Sequence, residues 1–171
     1  MKGADGTPEF ALSIKQPWAT LVLLGLKTIE IRRWTASIRG RIYLHAGKIP
    51  DERLEGWSRV PEVHFGLTSR RGGIIGAIDL VECVAYSSLR EFTRSRQLHF
   101  NEPSWYLPPR MFGFRFERPT IVPFRPFVGQ VKFFPVPPLA PKRPKLAIAP
   151  SPPDVVSLKA AKKKRVKFEL D

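Results

Sequence analysis

The sequence predicts a mainly β protein: a small, partly open β-barrel with flanking helices, followed by a basic C-terminal tail. Three observations predict this class. Stretches in which apolar and polar residues alternate with period two outnumber the helical stretches. Prolines interrupt the later strands, as they do at sheet edges and bulges. From Pro137 onward, prolines and lysines replace the alternating pattern, so we expect the domain to end there.

The first elements are a strand, a short helix and a second strand. Residues 11–15 fit a strand, and residues 18–24 are one or two helical turns too apolar to face water. Pro17 stands where a helix tolerates proline, at its first turn. Gly25 is placed to end the helix. Residues 28–32 then alternate with period two, which predicts a strand with one apolar and one polar face.

The remaining elements are assigned in the same way, from the helical period or from alternation with period two, with proline-rich loops between them. The expected strands are residues 41–46, 73–85, 110–117 and 120–136. The expected helices are residues 51–57 and 88–96. The second helix begins with Ser88 and Glu91 in the spacing of a capping box. Residues 61–71 and 101–110 are expected to be loops.

The composition divides the 171 residues into three parts. Residues 1–9 show no periodicity and are expected to be a flexible leader. Residues 10–136 are expected to form one domain, because about 130 residues close a barrel core without disulfides or metals. Residues 137–171 are expected to be a flexible Pro/Lys-rich tail that builds no core. The single cysteine, Cys83, is expected to be a packed small side chain.

The net charge of +14 indicates a polyanionic partner. Residues 1–136 hold 20 basic and 12 acidic residues, and residues 137–171 hold nine and three, so the domain itself is basic. Charge alone does not separate RNA, DNA and anionic lipid. No signal peptide or long apolar run is present, which predicts an intracellular, cytoplasmic protein without a membrane partner. The basic run at residues 162–165 would allow nuclear import in a eukaryote.

The region around the short helix combines cations, a carboxylate and tryptophans. On the second strand, Glu30 and Arg32 share the polar face, and Lys27 stands at the start of that strand. Lysine offers a phosphate a point charge, arginine forks onto phosphate or a base edge, and tryptophan stacks on an unpaired base. The side chains suited to a polyanion with flat rings are Lys15, Trp18, Lys27, Glu30, Arg32 and Trp34.

Several candidate residues also have a purely structural interpretation. Trp18, on a very apolar helix, fits the core better than a stacking surface. Lys27 and Glu30 also fit a surface salt bridge worth under about 1 kcal/mol. His45 fits a hydrogen-bonded strand residue, although its neighbour Lys48 makes it a candidate for the site.

Three segments resemble a known family in residue type, order and spacing. Residues 13–19 read Ser-Ile-Lys-Gln-Pro-Trp-Ala, residues 25–34 read Gly-x-Lys-Thr-x-Glu-x-Arg-x-Trp, and residues 39–48 read Arg-Gly-Arg-Ile-Tyr-Leu-His-Ala-Gly-Lys. This pattern is similar to that of the ASCH family. The resemblance covers roughly residues 10–136 and implies a PUA-like β-barrel, the ASCH fold.

The resemblance also implies where the site lies. In the family the site is a cleft between the first helix and the strands after it. The resemblance implies that Lys27, Glu30 and Arg32, which stand at the matching positions of the motif, lie in that cleft. The full set expected to bind nucleic acid is Lys15, Gln16, Trp18, Lys27, Glu30, Arg32, Trp34, His45, Lys48 and Trp105. RNA, single-stranded or structured, is favoured because no helix carries a run of base-reading side chains, and DNA stays open as a partner.

Two other functions stay open. Some family members resemble amidohydrolases that remove an acyl group from a modified cytidine, and others suggest a metal-free ribonuclease. In an enzyme, Lys27 and Glu30 would be catalytic, although Glu30 stands where the amidohydrolases have a threonine; Asp79 or Glu82 would supply the later carboxylate. A protein-interaction adaptor acting through residues 137–171 is the third interpretation. No cofactor is expected, and no metal site is recognised, since the three histidines lack zinc spacing. An unpaired Asp79/Glu82 pair would still be able to coordinate an ion.

Overall fold

The computed structural model describes residues 8–137, and the leader and tail expected at the two ends lie outside the described residues except at their inner boundaries. Those residues build a six-stranded sheet in the order β2-β5-β4-β3-β1-β6. The strands are β1 (Phe10–Ile14), β2 (Ile29–Arg32), β3 (Gly40–Ala46), β4 (Gly73–Tyr86), β5 (Met111–Pro126) and β6 (Phe133–Pro135). The helices are α1 (Trp18–Leu23), α2 (Leu54–Trp57), α3 (Phe65–Thr68), α4 (Leu89–Arg94) and α5 (Arg96–His99). The predicted mainly β fold with flanking helices is confirmed.

The unit β1-α1-β2 forms as the sequence predicts. All six residues of α1 are buried, and Gly25 follows the helix with φ +71°, a conformation that glycine adopts without strain. The amides of Gly25 and Leu26 donate to the carbonyls of Val22 and Leu21, which is the Schellman pattern. The chain therefore turns sharply into β2, where Ile29 and Ile31 are buried.

The sheet is closed by side chains where its two edge strands approach each other. Trp34, just after β2, places its ring 5.3 Å from that of Phe133 in β6. Arg32 at the end of β2 donates through Nη2 to the Ser13 carbonyl of β1 at 2.7 Å. The seam between β2 and the β1/β6 edge is thus bridged by an aromatic contact and a charged hydrogen bond. This seam is where a partly open barrel leaves room for a cleft.

The second half of the chain departs from the expected strands. The two strands expected at residues 110–117 and 120–136 are one long strand, β5, followed by the short β6. Ala77 pairs with Thr120 and Asp79 with Glu117, so β5 carries one extra residue between these pairs. Arg118 has φ +48° at that point. This is a bulge, which bends β5 without ending its pairing with β4.

Three short segments also differ from expectation. The helix expected at residues 51–57 is only α2, because Asp51 caps nothing and instead accepts hydrogen bonds from the backbone and side chain of Arg53. The loop expected at residues 61–71 contains a 3₁₀ turn, Glu62–His64, and α3. The expected helix at 88–96 begins as predicted, with Ser88 Oγ accepting from the Glu91 amide at 3.2 Å. It breaks at Ser95, where α4 ends and α5 follows.

The main core lies between α1 and the sheet. Leu21 and Val22 of α1 pack with Leu44 and Ile78 of the central strands, all less than 2% exposed. Another cluster, of five buried side chains, joins α4 to β2: Ile29, Ile31, Tyr86, Phe92 and Met111. Within residues 8–137, no helix has the length and apolar character needed to cross a membrane.

Candidate nucleic-acid site

A cleft of about 610 Å³ opens at the seam of the barrel. Its walls come from the end of β1, from β2 and from three loops that are distant in sequence. Five basic and two acidic side chains line it, a formal excess of three positive charges. Those charged residues are Lys15, Lys27, Arg32, Arg53, Lys132, Glu30 and Asp51. The tryptophans that line the cleft are Trp18, Trp34 and Trp105.

The inner surface of the cleft is a chain of three charged side chains, Lys27, Glu30 and Arg32, which we call the floor. Lys27 Nζ lies 3.3 Å from one carboxylate oxygen of Glu30, and Arg32 Nη2 lies 3.2 Å from the other. Lys27 is 2% exposed, Glu30 13% and Arg32 27%. As the sequence predicts, Glu30 and Arg32 lie on the polar face of β2, and Lys27 stands just before that strand.

All three donors of the Lys27 ammonium are engaged by acceptors of the protein. Besides Glu30, its ammonium donates to the carbonyls of Ile29 and His99, each at 2.6 Å. Three acceptors for three protons match a charged lysine, and Trp18 adds a ring 5.6 Å from Nζ. Burial lowers the pKa of Lys27, and the neighbouring carboxylate of Glu30 opposes that effect. Lys27 is therefore neither a mobile charge for a phosphate nor part of a surface salt bridge.

The guanidinium of Arg32 is held by two protein acceptors on one nitrogen. Its Nη2 is used by Glu30 and by the Ser13 carbonyl. Its Nε is buried without a hydrogen-bond partner, and a buried N–H without an acceptor costs free energy. The guanidinium is thus fixed in orientation at the inner surface of the cleft.

The outer part of the cleft consists of Lys15, Arg53, Trp105 and Lys132, which we call the rim. Lys15 and Lys132 are exposed. The guanidinium carbon of Arg53 lies 4.1 Å from the centre of the Trp105 ring. Trp105 is only half-buried, so part of its indole stays exposed at the mouth of the cleft.

Asp51 joins the rim to the wall behind it. It accepts from Arg53 Nε at 2.8 Å and from Trp18 Nε1 at 3.1 Å. The hydrogen bond from Arg53 is the main reason that the pKa of Asp51 falls to about 2. The Asp51 carboxylate therefore stays charged near neutral pH and keeps Arg53 over Trp105.

The other two tryptophans differ in exposure. Trp18 is 6% exposed, which agrees with its interpretation as a core residue, although it also lines the cleft. Trp34 is half-buried and packs edge-on against Phe114 at 4.8 Å and Phe133 at 5.3 Å. Its remaining surface faces the cleft beside Arg32.

The structure does not bring every predicted residue into the cleft. Gln16 is fully buried: its Nε2 donates to the carbonyls of Leu67 and Arg70, and its Oε1 accepts from the amide and hydroxyl of Thr20. It ties α3 to α1 and has no polar atom left for a ligand. His45 and Lys48 line a second cavity of about 630 Å³ instead.

The carboxylates considered for catalysis or metal binding are engaged by arginines elsewhere. Asp79 pairs with Arg41 at 3.2 Å and with Arg118; burial alone would raise its pKa, and these arginines hold the pKa low. Glu82 pairs with Arg115 at 2.9 Å. The idea of an unpaired Asp79/Glu82 pair is therefore wrong. Within residues 8–137, no three His, Cys, Asp or Glu residues stand close enough together to bind a metal ion.

Several residues of the cleft were not expected from the sequence. Asp51 and Arg53 precede α2, Asn101 follows α5, and Gln130 and Lys132 lie between β5 and β6. In the structure all of them lie in loops, so neither the helical nor the strand period directs their side chains to the cleft. A signal was present only for Trp105, as an aromatic residue in a proline-rich loop.

The fold and the cleft define a small barrel domain with a basic, tryptophan-lined seam. The sequence pattern of the ASCH domain family matches residues 12–116, more than half of the chain, and the chain belongs to that family. Over 98 residues it is 33% identical to activating signal cointegrator 1 of Mus musculus and 32% identical to that of Homo sapiens. Each alignment covers 53% of this chain but only 16% of the relative.

Solved structures agree on the fold. The crystal structure of ASCH from Zymomonas mobilis superposes with a TM-score of 0.52 at 13% identity, covering 75% of this chain and 87% of that one. A mutant of the same protein gives 0.54 at 14% identity, covering 75% and 90%. At such low identity the likeness shows the shared fold alone.

Proposed function

We propose that this chain is an RNA-binding module that holds single-stranded or structured RNA in the cleft. The observation that carries the proposal is the rim, where exposed cations stand around a half-buried tryptophan at the mouth of a basic cavity. Membership in the ASCH family supports an RNA-binding or RNA-processing module at the coarse level. Cations that follow a backbone, with rings that stack on bases, are the recurring solution for single strands.

Floor and rim have different tasks in this proposal. The floor has all three donors of Lys27 engaged, so it supplies a fixed positive field and a rigid base for the cleft. The rim supplies the contacts: Lys15 and Lys132 for phosphates, and Trp105 with Arg53 for a base. Arg32 lies between them, and its guanidinium adds positive charge at the inner surface of the cleft.

The position of the rings favours an unpaired base. Trp34 and Trp105 line a recess rather than a convex surface, so a base reaches them only when it has left a duplex. Stacking of one base on such a ring contributes roughly 1–3 kcal/mol. The amides of Asn101 and Gln130 also line the recess and are suited to hydrogen-bond a base edge.

The test is fluorescence anisotropy of an end-labelled single-stranded RNA with the full chain at several salt concentrations. The double variant Lys15→Ala/Lys132→Ala should bind more weakly, and its salt slope should be smaller by about 1.4 for two lost phosphate contacts. The matched control is Arg90→Ala/Arg94→Ala on α4, which removes the same charge at exposed sites outside the cleft.

Equal effects of the two double variants would show that charge acts without the cleft and would refute the assignment. A single-stranded DNA and an RNA duplex of the same sequence complete the experiment. Binding to the duplex as tight as to the single strand would contradict recognition of an unpaired base. Equal binding of single-stranded DNA would widen the ligand class to both nucleic acids.

Hydrolysis of a modified nucleoside or of RNA is the second candidate. The observation that favours it is the Glu30 carboxylate at the floor of the cleft, 13% exposed and between two cations. Such a group can act as a base on water, with Lys27 stabilising negative charge. Turnover of acylated cytidine or labelled RNA, followed by HPLC and abolished in Glu30→Gln, would support it. An adaptor role for residues 137–171 stays a prediction outside the described residues.

A further inference from the structure

The second cavity adjoins the cleft and shares a wall with it. Ser13 and Gln130 line both spaces, which have similar volumes of about 610 and 630 Å³. The segment between β5 and β6 forms the common boundary. Residues 127–130 face the second cavity, and residues 130–132 face the cleft. The two spaces therefore lie side by side, and we call them together the groove.

Ser13 connects the two spaces through its two oxygen atoms. Its carbonyl accepts from Arg32 Nη2 at 2.7 Å on the cleft side. Its hydroxyl lies 3.0 Å from His45 Nδ1 on the other side. A ligand that spans the groove would thus pass over a residue that is fixed from both directions.

His45 holds the shared wall in place. Its Nε2 donates to the Phe127 carbonyl at 2.9 Å, so Nδ1 is the acceptor for the Ser13 hydroxyl. A Cβ added at Gly129 would lie only 2.5 Å from His45 Cε1, which shows how closely the wall approaches the ring. Burial lowers the pKa of His45, in keeping with this neutral form. His45 is thus a positioning residue for the groove.

The second cavity offers the same kinds of groups as the rim. Lys48 is exposed beside it, Phe127 contributes an aromatic ring, and Val128 is 83% exposed. In the cleft the corresponding groups are Lys132, Trp105 and Val131. Repetition of a cation and a ring along one groove matches the way that successive nucleotides of a single strand are held.

We propose that the second cavity binds the nucleotide next to the one held in the cleft, so that the groove takes a dinucleotide unit of single-stranded RNA. This inference rests on the proposed function of the cleft. The base of the second nucleotide lies by Phe127 and Val128, and Lys48 neutralises its phosphate. The strand crosses from one site to the other over Ser13 and Gln130.

The test uses uridylates of one, two and three nucleotides as competitors of the end-labelled RNA, with the full chain. In the wild type, affinity should rise about tenfold from one to two nucleotides, within the range for one added stacked base. Val128→Asp should remove most of this gain and leave the mononucleotide unchanged. Val131→Asp, in the cleft, should weaken all three competitors.

Val63→Asp is the matched control, since Val63 is 86% exposed and lines neither space. It makes the same change in charge and should leave the gain intact. A gain that survives in Val128→Asp, or one lost equally in Val63→Asp, would overturn the second site while leaving the cleft standing. No binding of any uridylate or RNA by the wild type would overturn the proposed function and this inference with it.

Discussion

The floor and the rim of the cleft carry like charges in opposite physical states. On the floor, Lys27 is buried and its three donors are used by protein acceptors. On the rim, Lys15 and Lys132 are exposed. The comparison shows that a cation can line a candidate site without contacting the ligand. A buried, saturated cation contributes to folding and to the field, and an exposed one is available to bind.

This difference changes which substitution tests which property. The sequence alone favours Lys27 as the residue to mutate for loss of binding. The structure makes Lys27 a stability residue, because it also ties the β2 backbone at Ile29 to the end of α5 at His99. Binding is better tested on the rim.

The largest expected effect is on the floor. Lys27→Ala leaves two buried carbonyls without a donor and Glu30 without one of its two cations, and it should lower the free energy of unfolding by about 3–5 kcal/mol. Urea unfolding followed by tryptophan fluorescence measures the change. Arg90→Ala, at an exposed site on α4, is the control. A loss below about 1 kcal/mol would mean that the floor is not the structural unit described.

The next effect concerns acid sensitivity behind the floor. His99 donates through Nε2 to Phe92 and accepts at Nδ1 from the Asn101 amide, so the ring is neutral. Burial is the main reason that its pKa is lowered to about 4. Between pH 6.5 and 4 the unfolded chain binds the extra proton, so stability is fully present above about pH 6.5 and declines toward pH 4. The loss should be on the order of 2–3 kcal/mol.

Urea unfolding at several pH values tests this expectation. In His99→Gln the decline between pH 6.5 and 4 should be smaller than in the wild type. His64→Gln, at an exposed ring, should leave the decline in place. The expectation fails if the two variants show the same pH dependence.

A smaller effect is expected on the rim. Trp105→Ala removes the ring under Arg53 and should weaken single-stranded RNA binding by roughly 1–3 kcal/mol. Trp57→Ala is the control, because Trp57 is also half-buried and donates to the Asp51 carbonyl but does not line the cleft. Anisotropy titration of both proteins separates stacking from general loss of packing. Equal weakening would argue against Trp105 as a base contact.

The smallest effect on the cleft should come from the basic C-terminal segment. Removing residues 137–171 takes away nine basic and three acidic residues. We expect a shallower dependence of RNA affinity on salt, because fewer counterions are released. Binding of the remaining chain in low salt should persist. An unchanged salt slope would mean that this segment makes no contact with RNA.

The sequence predicts the floor well and the rim poorly, for a physical reason. Alternation along residues 28–32 places Glu30 and Arg32 on one face, and the turn at Gly25 delivers Lys27 to the same place. These are local consequences of one helix and one strand. Arg53 and Lys132 reach the cleft from loops more than 75 residues apart, and only tertiary packing brings them together.

Buried polar residues are the other limit of sequence-based prediction. Gln16 and His45 belong to the motif segments and carry groups suited to nucleic acid. In the structure, both use their polar atoms on protein partners. Residue type determines whether a side chain is able to hydrogen-bond, whereas its orientation in the fold determines which group is its partner. The break expected between residues 117 and 120 is instead a bulge at Arg118, because the pairing of β5 with β4 continues past Pro119.

The most direct test of the central claim is photocrosslinking of the full chain to a single-stranded RNA that contains 4-thiouridine, with crosslinked peptides identified by mass spectrometry. If the cleft binds RNA, crosslinks should form at the rim and along the shared wall, in peptides that contain Trp105 and residues 127–132. These crosslinks should be lost when unlabelled RNA competes. Crosslinks confined to residues 138–171 would contradict the claim that the cleft is the RNA-binding site.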